Sequence, residues 1–443
     1  MNLSDHPTVV ARRARRERLD VPTILDAADL RERCLAAGAH DVGFVELANP
    51  ALDDQREIVL AAFPRTQALI SFVVRMNRED VRTPARSVAN AEFHRTRDDV
   101  DVTARAIVAE LERAGVPALN PPMAFPMEME SFPGRTWIVS HKPVAVAAGL
   151  GKIGIHRNVI HPEFGNFILL GTVLLGVPVS AYGSPLDYNP CLECKLCVAA
   201  CPTGAIEPDG SFNFGACYTH NYREFMSGFG DFVETIADSR NARDYRAHVS
   251  LPETVSMWQS LSYGANYKAA YCLSVCPAGE DVIGPFLESR GRFLRDVVKP
   301  LQERVETIYV TPGSDAVAHV EKRFPHKRTK TVRSGLRVAT IASFLSGMPL
   351  IFQRHHAGSL RATYHLRFTG DGACDATVRI LDGKLDVREG LVGTADLRIR
   401  ADGRAWLDFV NRERPLWLLL ATRKIRPDGP IRFFTAFGRC FSS

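Results

Sequence analysis

Apolar and polar residues alternate along this chain with periods that shift between those of helix and strand. Residues 27–37 repeat apolar side chains at helical spacing and stop at Gly38, as a helix end does. Residues 42–45 read as a short strand and 68–74 (ALISFVV) as a buried one. Residues 100–114 return to the helical period and stop at Gly115, and 116–119 open another strand. This alternation predicts an α/β layer with a central sheet. Pro121, Pro122, Pro126 and Pro133 mark an irregular segment. The longest apolar run, 167–182, is interrupted by Gly171, Gly176 and Pro178. It falls short of the roughly 18–20 residues that span a bilayer, so it predicts a buried strand and a turn.

Beyond the middle of the chain the pattern changes twice. Residues 231–248 predict a helical insertion, followed by the aromatic positions Trp258, Tyr263, Tyr267 and Tyr271. The tyrosines are expected to shield whatever lies beneath them. Residues 322–333 (KRFPHKRTKTVR) read as a charged linker. After it come a helix at 338–345 and strands at 362–368, 376–381 and 395–399, with turns at Gly370-Asp371-Gly372 and Asp382-Gly383. The expected units are a basic arm (1–20), an α/β cofactor domain (21–187), a cysteine module (188–285), a connecting helix and linker (286–334) and an α+β domain (335–443).

Composition narrows the class. With 46% hydrophobic and 24% charged residues in 443, the chain is an ordinary globular protein rather than a disordered or collagen-like one. The net charge of +5 hides an asymmetry: residues 321–443 carry 23 Lys and Arg against 11 Asp and Glu, and the remainder is acidic. The basic part suits an anionic lipid head, a membrane surface or docking onto the acidic remainder. Arg12, Arg13, Arg15, Arg16 and Arg18 lack the apolar stretch of an export signal, since Glu17 and Asp20 interrupt them. A cytoplasmic protein without a transmembrane segment is expected, its thiols reduced and free to bind metal.

Seven of the ten cysteines lie between Cys191 and Cys276. Cys191, Cys194, Cys197 and Cys201-Pro202 form C-x2-C-x2-C-x3-C-P, the bacterial ferredoxin run, in which the fourth cysteine serves a different cluster. Cys217 stands alone, and Cys272-x3-Cys276-Pro277 repeats the end of the motif. Crossed ligation assigns Cys191, Cys194, Cys197 and Cys276 to a first 4Fe-4S cluster. It assigns Cys201, Cys217 and Cys272 to a second, whose fourth position, three residues before Cys272, is Ala269. A three-iron cluster, a four-iron cluster with a non-cysteine or open ligand, and an empty site all remain open. Cys34, Cys374 and Cys440 lack such spacing and read as structural thiols.

Gly149, Gly151 and Gly154 spell G-x-G-x-x-G, but Pro162 and a strand-like run follow where a dinucleotide fold needs an unbroken helix. These glycines, with Gly165, are expected to let the backbone approach a bulky cofactor, or to form tight turns. The block 140–165 (SHKPVAVAAGLGKIGIHRNVIHPEFG), the following strand and the cysteine spacing resemble epoxyqueuosine reductases and reductive dehalogenases over residues 25–285. The resemblance implies an α/β cobalamin-binding domain fused to a two-cluster ferredoxin module. Electrons would come from a donor such as ferredoxin or flavodoxin. His141, Lys142 and His156 are then acid–base candidates, with Glu128 and Glu130 beside them. Nothing resembles the tRNA-binding repeats of epoxyqueuosine reductases, so no nucleic-acid partner is expected.

Residues 335–443 resemble a sterol-carrier-protein-type domain, on 366–410 and the closing GPIRFFTAFGRCF. That resemblance implies a curved sheet with helices around an apolar tunnel for a lipid or acyl group, or a surface for a homodimer. The combined expectation is an iron–sulfur oxidoreductase acting on a corrinoid or on a bound apolar substrate. The alternatives are an electron-transfer or redox-sensing protein, and a lipid-carrying or docking protein with structural clusters.

Overall fold

The computed structural model describes residues 2–16, 22–124, 128–131, 137–226, 228–268, 271–333 and 337–441. Ala269 therefore lies outside the described residues. The first sheet contains β1 (Asp41–Glu46), β2 (Ala68–Arg75), β3 (Ala118–Leu119) and β4 (Ile168–Leu175), in the order β1-β2-β4-β3. Every pairing is antiparallel. The continuous apolar run of β2 follows from burial on both faces. Ile70, Phe72 and Val74 pack with Val100, Ala104, Ile107 and Leu111 of helix α1 (Arg86–Arg113). Leu69 and Val73 pack with Val144, Ala145 and Ala147 of α2 (His141–Ala147) on the other side.

Helix α1 begins fourteen residues before the helix read from apolar spacing. Its first half buries Arg86, Glu92 and Thr96, so the buried stripe there is polar and escapes a hydrophobic pattern. The Glu92 carboxylate accepts hydrogen bonds from the Asn77 backbone N–H and side-chain amide and from the Thr96 hydroxyl.

The cysteine module carries three short helices, α3 (Leu196–Ala200), α4 (Phe214–Asn221) and α5 (Tyr271–Ser274). The helical insertion forms as three pieces, Gly228–Asp238, Ala242–His248 and Leu251–Tyr263. The expected basic linker is largely regular structure: β5 (Thr307–Val310) and β6 (Arg328–Thr331) pair in parallel. The charge run misled because Lys327 is buried, its ammonium donating to Glu306 (2.8 Å) and to the Arg304 carbonyl (2.7 Å). Ile308, Val310, Val320 and Phe324 of this segment share one core with Cys197 and Cys201.

The last unit is α+β. After helix α6 (Ile341–Ile351), strands β7 (Arg361–Thr369), β8 (Asp375–Leu381), β9 (Lys384–Glu389), β10 (Leu397–Asp402) and β11 (Ile425–Asp428) form a sheet in the order β9-β8-β7-β10-β11. Only the β7–β10 pairing is parallel. Helices α7 (Gly403–Val410) and α8 (Ile431–Cys440) join α6 in its core. There Trp406 stands edge-on to Phe344 (5.5 Å) and Phe368 (5.6 Å). Ion pairs tie this basic unit to acidic residues of the preceding chain, including Arg354 to Asp209 (2.8 Å), His355 to Glu207 (2.7 Å) and Arg337 to Glu234 (3.2 Å). Cys34 and Cys440 are buried in the two outer cores, as structural thiols are.

No described helix is long and apolar enough to cross a membrane. On β4, Gly171 faces Phe72 of β2, and a Cβ at Gly171 would lie 2.1 Å from the Phe72 ring. Gly171→Val is expected to destabilise by about 1–3 kcal/mol through overpacking. The measurement is the thermal midpoint, with Phe72→Leu in the same chain recovering part of the loss.

Candidate iron–sulfur centre

Cys191 and Cys194 sit in a loop whose backbone turns left-handed at Glu193 (φ 48°) and Lys195 (φ 61°) just before α3. Such alternation aims successive backbone N–H groups inward, a concavity suited to the sulfurs of an anionic cluster. Cys197 lies in α3 and Cys201 ends it. Asn213 caps α4 by accepting from Ala216 N–H (2.9 Å), and α4 carries Cys217. Cys272 is in α5, with Cys276 just beyond it.

These separated stretches bring the thiols into one neighbourhood. Cys276 interacts electrostatically with Cys194, Cys191 and Cys272, and Cys197 with Cys272 first, then with Cys276 and Cys194. Cys217 interacts with Cys272 and Cys201, and Cys272 with Cys201. Cys272 thus joins the two groups expected from the spacing. All seven are free of disulfides. Burial first, and neighbouring thiols second, push the Cys197 and Cys217 thiols well up. Burial foremost also raises Cys272 and Cys276 to about 12. Buried thiols crowded in this way ionise readily only when a metal supplies positive charge. Backbone N–H groups already point at the sulfurs: Ala205 donates to Cys201 Sγ at 3.3 Å, and the Leu196 and Ala278 amides serve Cys194 and Cys276. This donor set fits iron–sulfur clusters. Among the described residues, no three His, Cys, Asp or Glu side chains close on a single metal ion. A polynuclear cluster makes a different demand, because it holds its thiolates apart around an inorganic core.

Each group has a cation beside it. The buried Arg82 guanidinium lies over Phe167 (5.2 Å) and interacts with Cys276, and its Nε and Nη2 have no partner among the described residues. Lys142 interacts with Cys272 and Cys217 while donating to the Arg157 carbonyl (2.7 Å) and Asn158 Oδ1 (3.2 Å). Lys142 is exposed at the surface; desolvation lowers its ammonium, and the two thiols oppose that shift.

The remaining acid–base candidates are placed differently. His141 is held at both ring nitrogens, by the Thr172 hydroxyl (2.8 Å) and the Pro122 carbonyl (3.2 Å). His156 accepts from Asn158 N–H (3.1 Å) and meets the Asn166 side-chain amide (3.2 Å). Burial lowers both to about 4, so they stay neutral and saturated, as packing histidines do. Glu128 and Glu130 are exposed.

The four glycines approach other parts of this chain rather than an open cradle. A Cβ at Gly149, Gly151, Gly154 or Gly165 would lie within 2.1–2.7 Å of Ser184, Ile160 or Ala278 atoms. A corrinoid cradle built on these four glycines does not fit, because atoms of this chain already close on them. Gly165, with φ 63°, instead lets the Ala278 carbonyl close in, which seats the Cys276 loop against the first domain. Spacing gave no hint of that contact.

Residues 185–207 match the 4Fe-4S binding domain family. An epoxyqueuosine reductase of Staphylococcus aureus is 37% identical over 82 residues, 18% of this chain and 21% of that protein. The chain thus spans about a fifth of the length of that relative. A crystal structure of epoxyqueuosine reductase with an epoxyqueuosine-modified tRNA-Tyr stem loop aligns over 73% of this chain and 84% of that one, at 14% identity and a TM-score of 0.35. A reductive dehalogenase structure, described as bearing on B12-dependent dehalogenation, aligns over 43% of this chain and 28% of that one, at 16% identity and a TM-score of 0.33. The family match and the Staphylococcus aureus relative bear out the resemblance to iron–sulfur proteins of the epoxyqueuosine reductase type.

Two outcomes follow from the geometry. Cys276→Ser is expected to remove the first cluster, read as loss of about four irons per chain, although Cys276 is remote in sequence from its partners. Burial also depresses His220 to about 4, as it does His156, against 6.5 in an unfolded chain. Between those values the unfolded chain binds more protons than the folded one, so stability falls as pH drops from 6.5 toward 4. Thermal midpoints at pH 7.5 and 5.5 should show the fall, and His156→Gln should shrink it.

Proposed function

We infer that this chain is an iron–sulfur reductase that relays single electrons through two cysteine-held centres to a bound acceptor. The observation that supports the reading is the gathering of seven thiols, from stretches far apart in sequence, into one electrostatically coupled neighbourhood. When bound, the clusters supply one-electron transfer at a potential set by cluster type, charge and hydrogen bonding. The chain's own part is to hold the two groups next to each other, direct backbone N–H groups at the sulfurs and place Arg82 and Lys142 beside them.

The acceptor site that best suits this arrangement is a cavity of about 640 Å³ walled by Arg86, His220, Lys268, Glu306 and Tyr309 among others. His220 is one helical turn beyond Cys217 on α4. Its Nδ1 accepts from Tyr309 N–H (3.3 Å), which leaves the proton on Nε2, and that atom has no partner among the described residues. The wall sets the cations Arg86, Lys268 and Arg304 beside Glu306 on a partly apolar surface, which suits an acceptor that carries anionic or polar groups. An apolar or acyl ligand is a proposal for the sterol-carrier-like unit alone. Because a similar protein was solved with epoxyqueuosine-bearing tRNA, that stem loop is the first acceptor to assay.

Anaerobic purification with iron, sulfide and cobalt analysis and electron paramagnetic resonance tests the reading. About seven or eight irons per chain are expected, and Cys197→Ser should abolish turnover with a chemical reductant. About four irons would remove the second centre and with it the relay. Cobalt at one per chain would make a corrinoid the acceptor.

A further inference from the structure

The wall of the cavity contains a buried donor for which the protein itself supplies no acceptor. His220 is 2% exposed, and its Nε2 has no hydrogen-bond partner among the described residues. A buried polar atom in that position calls for a ligand or a water. We propose that the Nε2–H of His220 binds an oxyanion carried by the acceptor, a phosphoryl or carboxylate group, within a positively charged wall. The inference rests on the reading of this cavity as the acceptor site and names the chemical group held there.

The hydrogen bonds set the tautomer. Nδ1 accepts from the Tyr309 N–H (3.3 Å) on β5, so the ring proton sits on Nε2. The imidazole also stacks on the Tyr309 ring (6.2 Å, 28°), which fixes its plane. His220 follows Cys217 at i,i+3 on α4, so the two share a helix face. A group held by His220 is thereby tied to the helix that carries Cys217.

The surrounding charge favours an anion. Arg86, Lys268 and Arg304 line the cavity with one carboxylate, Glu306. That carboxylate already accepts from the buried Lys327 ammonium (2.8 Å) and from the Tyr271 hydroxyl (2.7 Å). Lys268 pairs with Glu224 and holds its ammonium 5.5 Å from the centre of the Tyr309 ring, on which His220 stacks. With these partners included, four cations (Arg86, Lys268, Arg304, Lys327) meet two carboxylates (Glu224, Glu306). Arg304 brings a further donor: its Nε is buried, lies 3.7 Å from Glu306 Oε2 and makes no hydrogen bond among the described residues. A hydrogen bond to an anionic oxygen is stronger than one between neutral groups, so an oxyanion answers these donors better than water does. The volume of about 640 Å³ lies within the roughly 300–1,000 Å³ of sites for whole small molecules, so the oxyanion is one group of a larger acceptor.

The test is equilibrium dialysis of anaerobically purified full-length protein against radiolabelled inorganic phosphate and, separately, acetate. A single saturable site per chain is expected, and the ion held more tightly identifies the group as phosphoryl or carboxylate. His220→Phe keeps a ring against Tyr309 and removes the N–H; it should weaken that binding by about tenfold or more. Arg304→Gln, at a side chain 36% exposed, should weaken it in the same direction. Arg246→Gln, at an exposed position of the helix Ala242–His248, should leave it unchanged. Iron content equal to that of the wild type reports that each variant has folded; a His220→Phe chain short of iron passes the decision to Arg304→Gln on the same terms. The proposal is overturned if neither ion saturates, which leaves His220 to a water, or if His220→Phe with full iron binds as the wild type does. Iron content tests the underlying reading separately. About seven or eight irons without saturable binding overturn the oxyanion site alone, and about four irons with saturable binding overturn the relay alone.

Discussion

Seven thiols drawn into one interior make the demand to which the rest of this molecule answers. Cys194, Cys197, Cys217, Cys272 and Cys276 resist ionisation because burial raises them, and neighbouring thiols raise them further. Without a metal, that crowding opposes folding of the module; with iron bound, the same thiols hold together three separated pieces of chain. The surrounding features lessen the electrostatic cost. Left-handed turns at Glu193 and Lys195 aim amides at sulfur, and Arg82 and Lys142 bring positive charge to the two sides.

The first domain contributes more than a scaffold. Its sheet is covered on both faces, and the helix on one of them, α2, carries Lys142 to the second group of thiols. Gly165 admits the Ala278 carbonyl and so fixes the loop after Cys276. The segment after the module completes the same core through Leu301, Ile308 and Val310. Cofactor-type block, cysteine module and following segment are consequently one packing problem, although sequence punctuation separates them. The C-terminal unit has its own aromatic core and meets the others largely through ion pairs. Exposed pairs of that kind contribute little each, so they orient the basic unit on the acidic one more than they stabilise it.

The expectations that failed share a cause. Helix α1 was read too short because Arg86, Glu92 and Thr96 occupy core-facing positions that hydrophobic spacing leaves blank. The supposed linker is a strand pair because the Lys327 charge is neutralised inside by Glu306. His141 and His156 looked reactive as isolated letters, yet both are saturated by partners that no local pattern reveals. In each case a polar group is satisfied by residues distant in sequence.

What the sequence determined by itself was whatever is written locally. The ferredoxin run is local because one loop must wrap one cluster corner, and the strands and turns of the last unit follow from period-2 spacing and glycine turns. The crossed assignment of Cys276 and Cys272 follows from a fixed order of motifs and stands as a proposal for this chain. Only the tertiary structure decided how His220, Lys268 and Tyr309 gather at one cavity, where Lys142 and Arg82 stand, and which glycines face their own chain. Those are contacts between surfaces whose partners are set by packing, and packing leaves no periodic trace in the order of residues.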